Sequence, residues 1–125
     1  EFGKAVVELK KAEKLFNNNK RINEIIFLLG EIYLNDIKDY NYAIEQFKKI
    51  NKNSSLYSKA IFMIGYIYSN NLNEYSQAIK YYELFTKNFP KHELFPSVKY
   101  ELEQLDSYRG VIDSLNAIAK IRMDK

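Results

Sequence analysis

Slid along itself by 35 positions, the chain meets its own pattern: residues 25–53 overlie residues 60–88. Ile26/Ile61, Phe27/Phe62, Gly30/Gly65, Ile32/Ile67, Tyr33/Tyr68 and Asn35/Asn70 are identical pairs, as are Tyr40/Tyr75, Ala43/Ala78, Ile44/Ile79, Lys52/Lys87 and Asn53/Asn88. Other pairs, such as Phe47/Tyr82 and Ile50/Phe85, are conservative. A repeat of this length constrains the fold strongly. Each copy is one supersecondary unit, and only stacking on a neighbour buries its apolar side.

Within each unit the apolar residues keep helical time. Ile25, Ile26, Leu28, Leu29, Ile32 and Tyr33 recur at three- and four-residue spacings, as do Ile61, Met63, Ile64, Ile67 and Tyr68. The period breaks at Asn35–Asp39 and at Asn70–Glu74, where Asn tolerates the left-handed backbone that ends a helix and Asp39 or Asn73 can cap the next one. A second helix follows through Ala43, Ile44, Phe47 and Ile50, and again through Ala78, Ile79, Tyr82 and Phe85. Pro90 closes the second unit, and Ser54 and Ser55 stand in that place in the first as an N-cap for the following helix.

The flanks read as worn copies. Ala5-x3-Leu9-x2-Ala12 has the spacing of Ala43-x3-Phe47-x2-Ile50. At an offset of 38, Leu94-Phe95-x2-Val98-x-Tyr100-x-Leu102 overlies Leu56-Tyr57-x2-Ala60-x-Phe62-x-Ile64, and Val111-x3-Leu115-x2-Ile118 supplies a closing second helix. Glu103 then stands at the place of Gly65 and Asp106 at that of Tyr68, losses that suit a capping unit facing water. One domain over 1–125 results: 3–17 as the second helix of a preceding unit, 21–53 and 55–89 as full units, and 92–123 as a degenerate capping unit.

These spacings resemble the tetratricopeptide repeat, whose pattern is W-x2-L-G-x2-Y, then A-x3-F, then P. Ile26-x2-Leu29-Gly30-x2-Tyr33 followed by Ala43-x3-Phe47 is one instance, and Ile61-x2-Ile64-Gly65-x2-Tyr68 followed by Ala78-x3-Tyr82 and Pro90 is the other. Gly and Ala let two helix backbones approach, and the large ring fills the space beside them. The departures are Ile for Trp, no Pro in the first unit, and one extra residue in each helix-to-helix turn. The resemblance implies an all-α, right-handed superhelical solenoid of antiparallel helix pairs, here about three and a half repeats in seven helices. A second resemblance, of the Asn88-Phe89-Pro90-x3-Leu94-x-Pro96-x-Val98 join to TolA-binding and outer-membrane-assembly lipoproteins, covers residues 53–105 and implies an adaptor of the bacterial cell envelope. The chain begins at Glu1 rather than Met, so it reads as a fragment of a longer protein whose leader or anchor is missing, with Glu1-Phe2 a candidate cloning remnant.

In the resembled fold the first helices line a concave groove. That places Glu24, Phe27, Glu31, Leu34 and Asn35 of the first unit, and Lys59, Phe62, Tyr66, Ser69 and Asn70 of the second, against a protein or peptide segment. Phe27, Phe62 and Tyr66 are the candidate anchors, since aromatic rings offer contact area at little entropic cost. Asn35 and Asn70 can both donate to and accept from an extended backbone. The alternative is that Phe27 and Phe62 pack between units and that the two Asn merely end helices. Family members that clamp a terminal carboxylate use Lys and Asn at the fifth and ninth positions of a first helix. Phe27, Glu31, Phe62 and Tyr66 hold those positions here, which favours an apolar or mixed ligand.

Other functions fit less well. With no Cys, one His and four scattered Gly, the chain lacks the means for thiolate or multi-histidine metal sites and for phosphate-cradling loops, and no cofactor is expected. His92, Asp106 and Ser107 are the residue types of a nucleophilic triad without its arrangement, and Glu101/Glu103 or Asp36/Asp39 are explained by solvation and capping. Nineteen basic and sixteen acidic residues give a net charge of +3, and Lys10, Lys11, Lys14, Lys20 and Arg21 are interrupted by Glu8 and Glu13, so nucleic acid is not an expected partner. The longest apolar run, Ala60–Tyr68, is well short of the roughly 18 residues of a membrane span. A non-catalytic protein-interaction adaptor is the leading expectation. Self-assembly into a homo-oligomeric scaffold, through Val6, Val7 and Leu9 at one end and Ile112, Leu115 and Ile121 at the other, is the second.

Overall fold

The computed structural model describes residues 2–17 and 20–123; Glu1 lies outside them. Among the described residues six α-helices follow one another: α1 (Phe2–Leu15), α2 (Ile22–Ile32), α3 (Tyr40–Lys48), α4 (Tyr57–Tyr66), α5 (Tyr75–Asn88) and α6 (Phe95–Met123). Each packs on the helix before and after it in the chain, the neighbour-only contact scheme of a helical-repeat solenoid.

The close approach expected of the repeated glycines is present in both units. A Cβ on Gly30 would lie 2.7 Å from the Phe47 ring, and one on Gly65 would lie 2.7 Å from the Tyr82 ring. Ala43, Ala60 and Ala78 are wholly buried beside these pairs. Small residues on one helix and a ring on the next thus interlock each pair.

The extra residue per repeat is absorbed inside the first helix of each unit. Both α2 and α4 widen into a π turn, Tyr33–Ile37 and Ile67–Asn71. An inserted residue in a helix characteristically produces this wider ring. The Lys38 N–H donates to the Tyr33 carbonyl, and the Leu72 N–H to the Ile67 carbonyl at 3.0 Å. Lys38 and Asn73 then take left-handed backbone, with φ of 63° and 54°. The helices therefore end beyond Asn35 and Asn70. Asn73 supplies the reversal rather than a cap, while Asp39 does cap α3, accepting from the Tyr42 N–H at 3.1 Å.

The joins between units also repeat, hydrogen bond for hydrogen bond. The Leu56 N–H donates to Ser54 Oγ at 3.1 Å, and the Leu94 N–H donates to His92 Nδ1 at 3.0 Å. The Tyr57 and Phe95 N–H groups return to the carbonyls of Ser54 and His92. His92 is half-buried with its ring 5.3 Å from that of Phe85, so it is a structural counterpart of Ser54 rather than a loose surface group.

The capping unit differs from expectation. Residues 92–123 do not form a helix pair; α6 runs unbroken for 29 residues, so six helices replace seven. Three features of the chain account for this. Tyr68 and Ala78 are ten residues apart, whereas their counterparts Asp106 and Val111 are five apart, too few for the π turn and reversal. At an offset of 38, Val111 takes the place of left-handed Asn73, a conformation that a β-branched residue resists. Glu103, in the place of Gly65, fills the space that a returning ring would need. Val98 and Leu105 are buried against the second unit, and from Asp106 onward every described residue is exposed.

Candidate functional site

The ten expected groove residues separate into different environments. Phe27 and Leu34 are each only 6% exposed and belong to the packed interior, while Ser69, 9% exposed, sits at the edge of a cleft against α6. The Phe27 ring stands edge-on to Phe47 at 5.1 Å, and the Lys59 ammonium covers its outer face at 5.5 Å from the centroid. Core packing and a cation–π lid therefore claim a residue that spacing alone offered as an anchor. Glu24 lies apart, on a cleft with Phe16, Arg21, Ile25 and Leu28. Glu31 is half-buried and Asn35 exposed.

Phe62, Tyr66 and Asn70, one turn apart along α4 and its π turn, do come together. With Ser97 and Glu101 of α6 they line a cleft of about 200 Å³ whose floor is Tyr82. Phe62 is half-buried, packed at 6.1 Å on Tyr66 and 6.4 Å on both Tyr82 and Phe85. Tyr66 is 41% exposed. The Asn70 amide donates to the Tyr66 carbonyl at 3.2 Å. Burial first, then the Glu101 carboxylate and Tyr66, hold the Tyr82 hydroxyl above the usual phenol range, so the cleft floor stays neutral in ordinary buffers.

Sequence reasoning missed Ser97, Glu101 and Tyr82. A signal for Ser97 was available: the 38-residue offset that aligns Leu94 with Leu56 also aligns Ser97 with Lys59. Where Lys59 lies over Phe27, the short Ser97 side chain leaves Phe62 uncovered.

A family model for the tetratricopeptide repeat matches residues 59–92. The chain carries a tetratricopeptide repeat. The matched stretch contains α4 from Lys59 onward, its π turn, α5 and the join as far as His92, and so includes Phe62, Tyr66 and Asn70 of the cleft. No curated protein and no solved structure matches the chain. The tetratricopeptide repeat is in general a protein–protein interaction module, usually non-catalytic.

The residue types of a triad are spent locally. His92 Nδ1 accepts from the Leu94 N–H, the Ser107 hydroxyl donates to the Glu103 carbonyl at 3.2 Å within α6, and Asp106 is exposed. Among the described residues, no cluster of three or more His, Cys, Asp or Glu is placed to hold a metal ion, and no helix is long and apolar enough to cross a membrane.

Proposed function

We propose that this protein is an interaction adaptor that captures a segment of another protein in the crevice between α4 and α6. The observation that carries the reading is the uncovered Phe62–Tyr66 pair, at a place where the preceding unit closes the equivalent crevice with Lys59. The cleft is below the size of small-molecule sites, roughly 300–1,000 Å³, and suits one apolar side chain of a longer segment. Glu101 at the rim and the ring faces of Phe62 and Tyr66 favour a cation beside that anchor. The preferred ligand is thus an apolar residue next to Lys or Arg, with Asn70 beside its backbone.

Peptide-display selection against the wild-type chain and a Phe62→Ala/Tyr66→Ala chain, shown by circular dichroism to stay folded, tests this. The wild type should enrich a consensus of apolar–basic type that the double variant loses. Enrichment of the same peptides by both chains, or of none by either, would remove the crevice as the binding site.

A further inference from the structure

The second half of α6 is exposed, with only Tyr108 and Ile112 bordering a cleft against the solenoid, yet its side chains are sorted by face. Residues 106–123 are all exposed, and at 1.5 Å per residue they extend about 27 Å. Tyr108, Val111, Leu115 and Ile118 follow alternating three- and four-residue steps along one side. Asp106, Arg109, Asp113 and Lys120 fall on the opposite side of the same helix. Most helical stability in proteins comes from packing an apolar face, so a sorted apolar stripe calls for a covering surface.

We propose that a second copy of this chain covers the stripe, with the two α6 helices antiparallel. The three–four spacing continues upstream to Glu101 and Gln104 and downstream to Arg122, so the stripe is acidic or polar at one end and cationic at the other. Antiparallel pairing layers Tyr108 on Ile118 and Val111 on Leu115, and it brings Arg122 to Gln104, one turn from Glu101. Parallel pairing would set Arg122 against Arg122 and Glu101 against Glu101. Charge therefore selects the antiparallel, self-complementary arrangement, which a two-fold axis closes.

The solenoid also offers a seat for the far end of the incoming helix. On the same side of α6, Glu101, Gln104 and Tyr108 face Ser69, Asn70 and Asn73 across a cleft of about 490 Å³. Its lining sets these polar groups beside Tyr75, Leu105 and Ile112, and the incoming stripe ends in Arg122. Each copy thus places its Arg122 at the polar part of the other's cleft. The pairing shares Asn70 and Glu101 with the ligand crevice but makes no use of Phe62 or Tyr66.

Sedimentation equilibrium of the full chain over a wide concentration range tests the pairing. The wild type should populate a dimer, and Leu115→Lys should weaken it at least about tenfold, given two buried lysines per pair. That variant should leave the solenoid's melting unchanged, because Leu115 is 60% exposed within one chain. The chain has no cysteine, so disulfide trapping reads the direction cleanly. Gln104→Cys mixed with Arg122→Cys should cross-link, and Gln104→Cys alone should not. A monomer at every concentration, a dimer indifferent to Leu115→Lys, or trapping of Gln104→Cys with itself would each overturn the proposal. The Phe62→Ala/Tyr66→Ala chain should dimerise as the wild type does, which separates this result from a failure of the crevice.

Discussion

The crevices after the first and second repeats are built from the same parts and end differently. Both hold a phenylalanine at the equivalent place on the first helix, a glycine one turn on, and a ring from the second helix against that glycine. Phe27 is sealed by Lys59 from the next repeat; Phe62 faces Ser97 and remains open. Glu31 in the first crevice is replaced by Tyr66 in the second. Duplication preserved the internal packing, while residues from the following unit decided which copy kept an accessible surface. A repeated residue is therefore not a repeated site.

The largest effect should come from removing the two phenylalanines separately. Phe27→Ala should cost about 3–5 kcal/mol, the usual range for a buried ring, whereas Phe62→Ala should cost roughly 1–2 kcal/mol because only part of its area leaves water. Urea denaturation measures both, and equal losses would erase the distinction between sealed and open crevices.

Alkaline titration compares the two rings that pack on glycine. The Tyr82 hydroxyl is held above its ordinary value of 10.0, so beyond pH 10 the unfolded chain loses a proton that the folded chain keeps. The folded state then binds more protons, and stability falls as pH rises, by up to about 1.4 kcal/mol per pH unit. Tyr82→Phe, which copies Phe47 of the first repeat, should remove that component of the slope in denaturation measured between pH 9 and 11. Lys10, raised by the hydroxyls of Tyr33 and then Tyr42, adds stability below its ordinary 10.5 that is also lost as pH rises. It is exposed, so solvent screening keeps that contribution smaller.

Exchanging the lids tests the comparison directly. Ser97→Lys should cover Phe62 and weaken a selected peptide about tenfold, or about 1.4 kcal/mol by titration calorimetry, with stability changed by no more than about 0.5 kcal/mol as befits an exposed position. Lys59→Ser should uncover the Phe27 ring and lose about 0.5–1 kcal/mol of cation–π attraction. Undiminished peptide binding by Ser97→Lys would detach the site from the crevice.

The smallest effect concerns the two reversals. Lys38 carries left-handed backbone where the second repeat has Asn73. Lys38→Asn should stabilise the chain by about 0.5 kcal/mol, since Asn adopts that region more readily, and Asn73→Lys should do the opposite. Thermal denaturation giving the same sign for both would show that the two reversals are not equivalent.

Much of the fold was legible in one dimension. Gly30, Gly65, Ala43 and Ala78 mark close helix contacts because the absence of bulk has local consequences at fixed spacing. The even five-residue shortfall before Val111 was also written in the chain, and it shows that apolar period alone does not make a second helix when the turn lacks residues. The candidate site was less legible. Phe27 and Phe62 hold the same repeat position, each after an Ile and three residues before a Gly, and their fates diverge largely through Lys59 and Ser97, which arrive from the next unit. Likewise, a three–four apolar stripe reads the same whether it packs within the chain or projects from it, as α6 does beyond Leu105. The sequence by itself determined the helical repeat, the interlocked helix pairs and the residue types excluded from chemistry, because those follow from periodicity and composition. Only the tertiary structure decided which aromatic surface stays open and which apolar face lacks cover, because accessibility depends on groups distant in the chain.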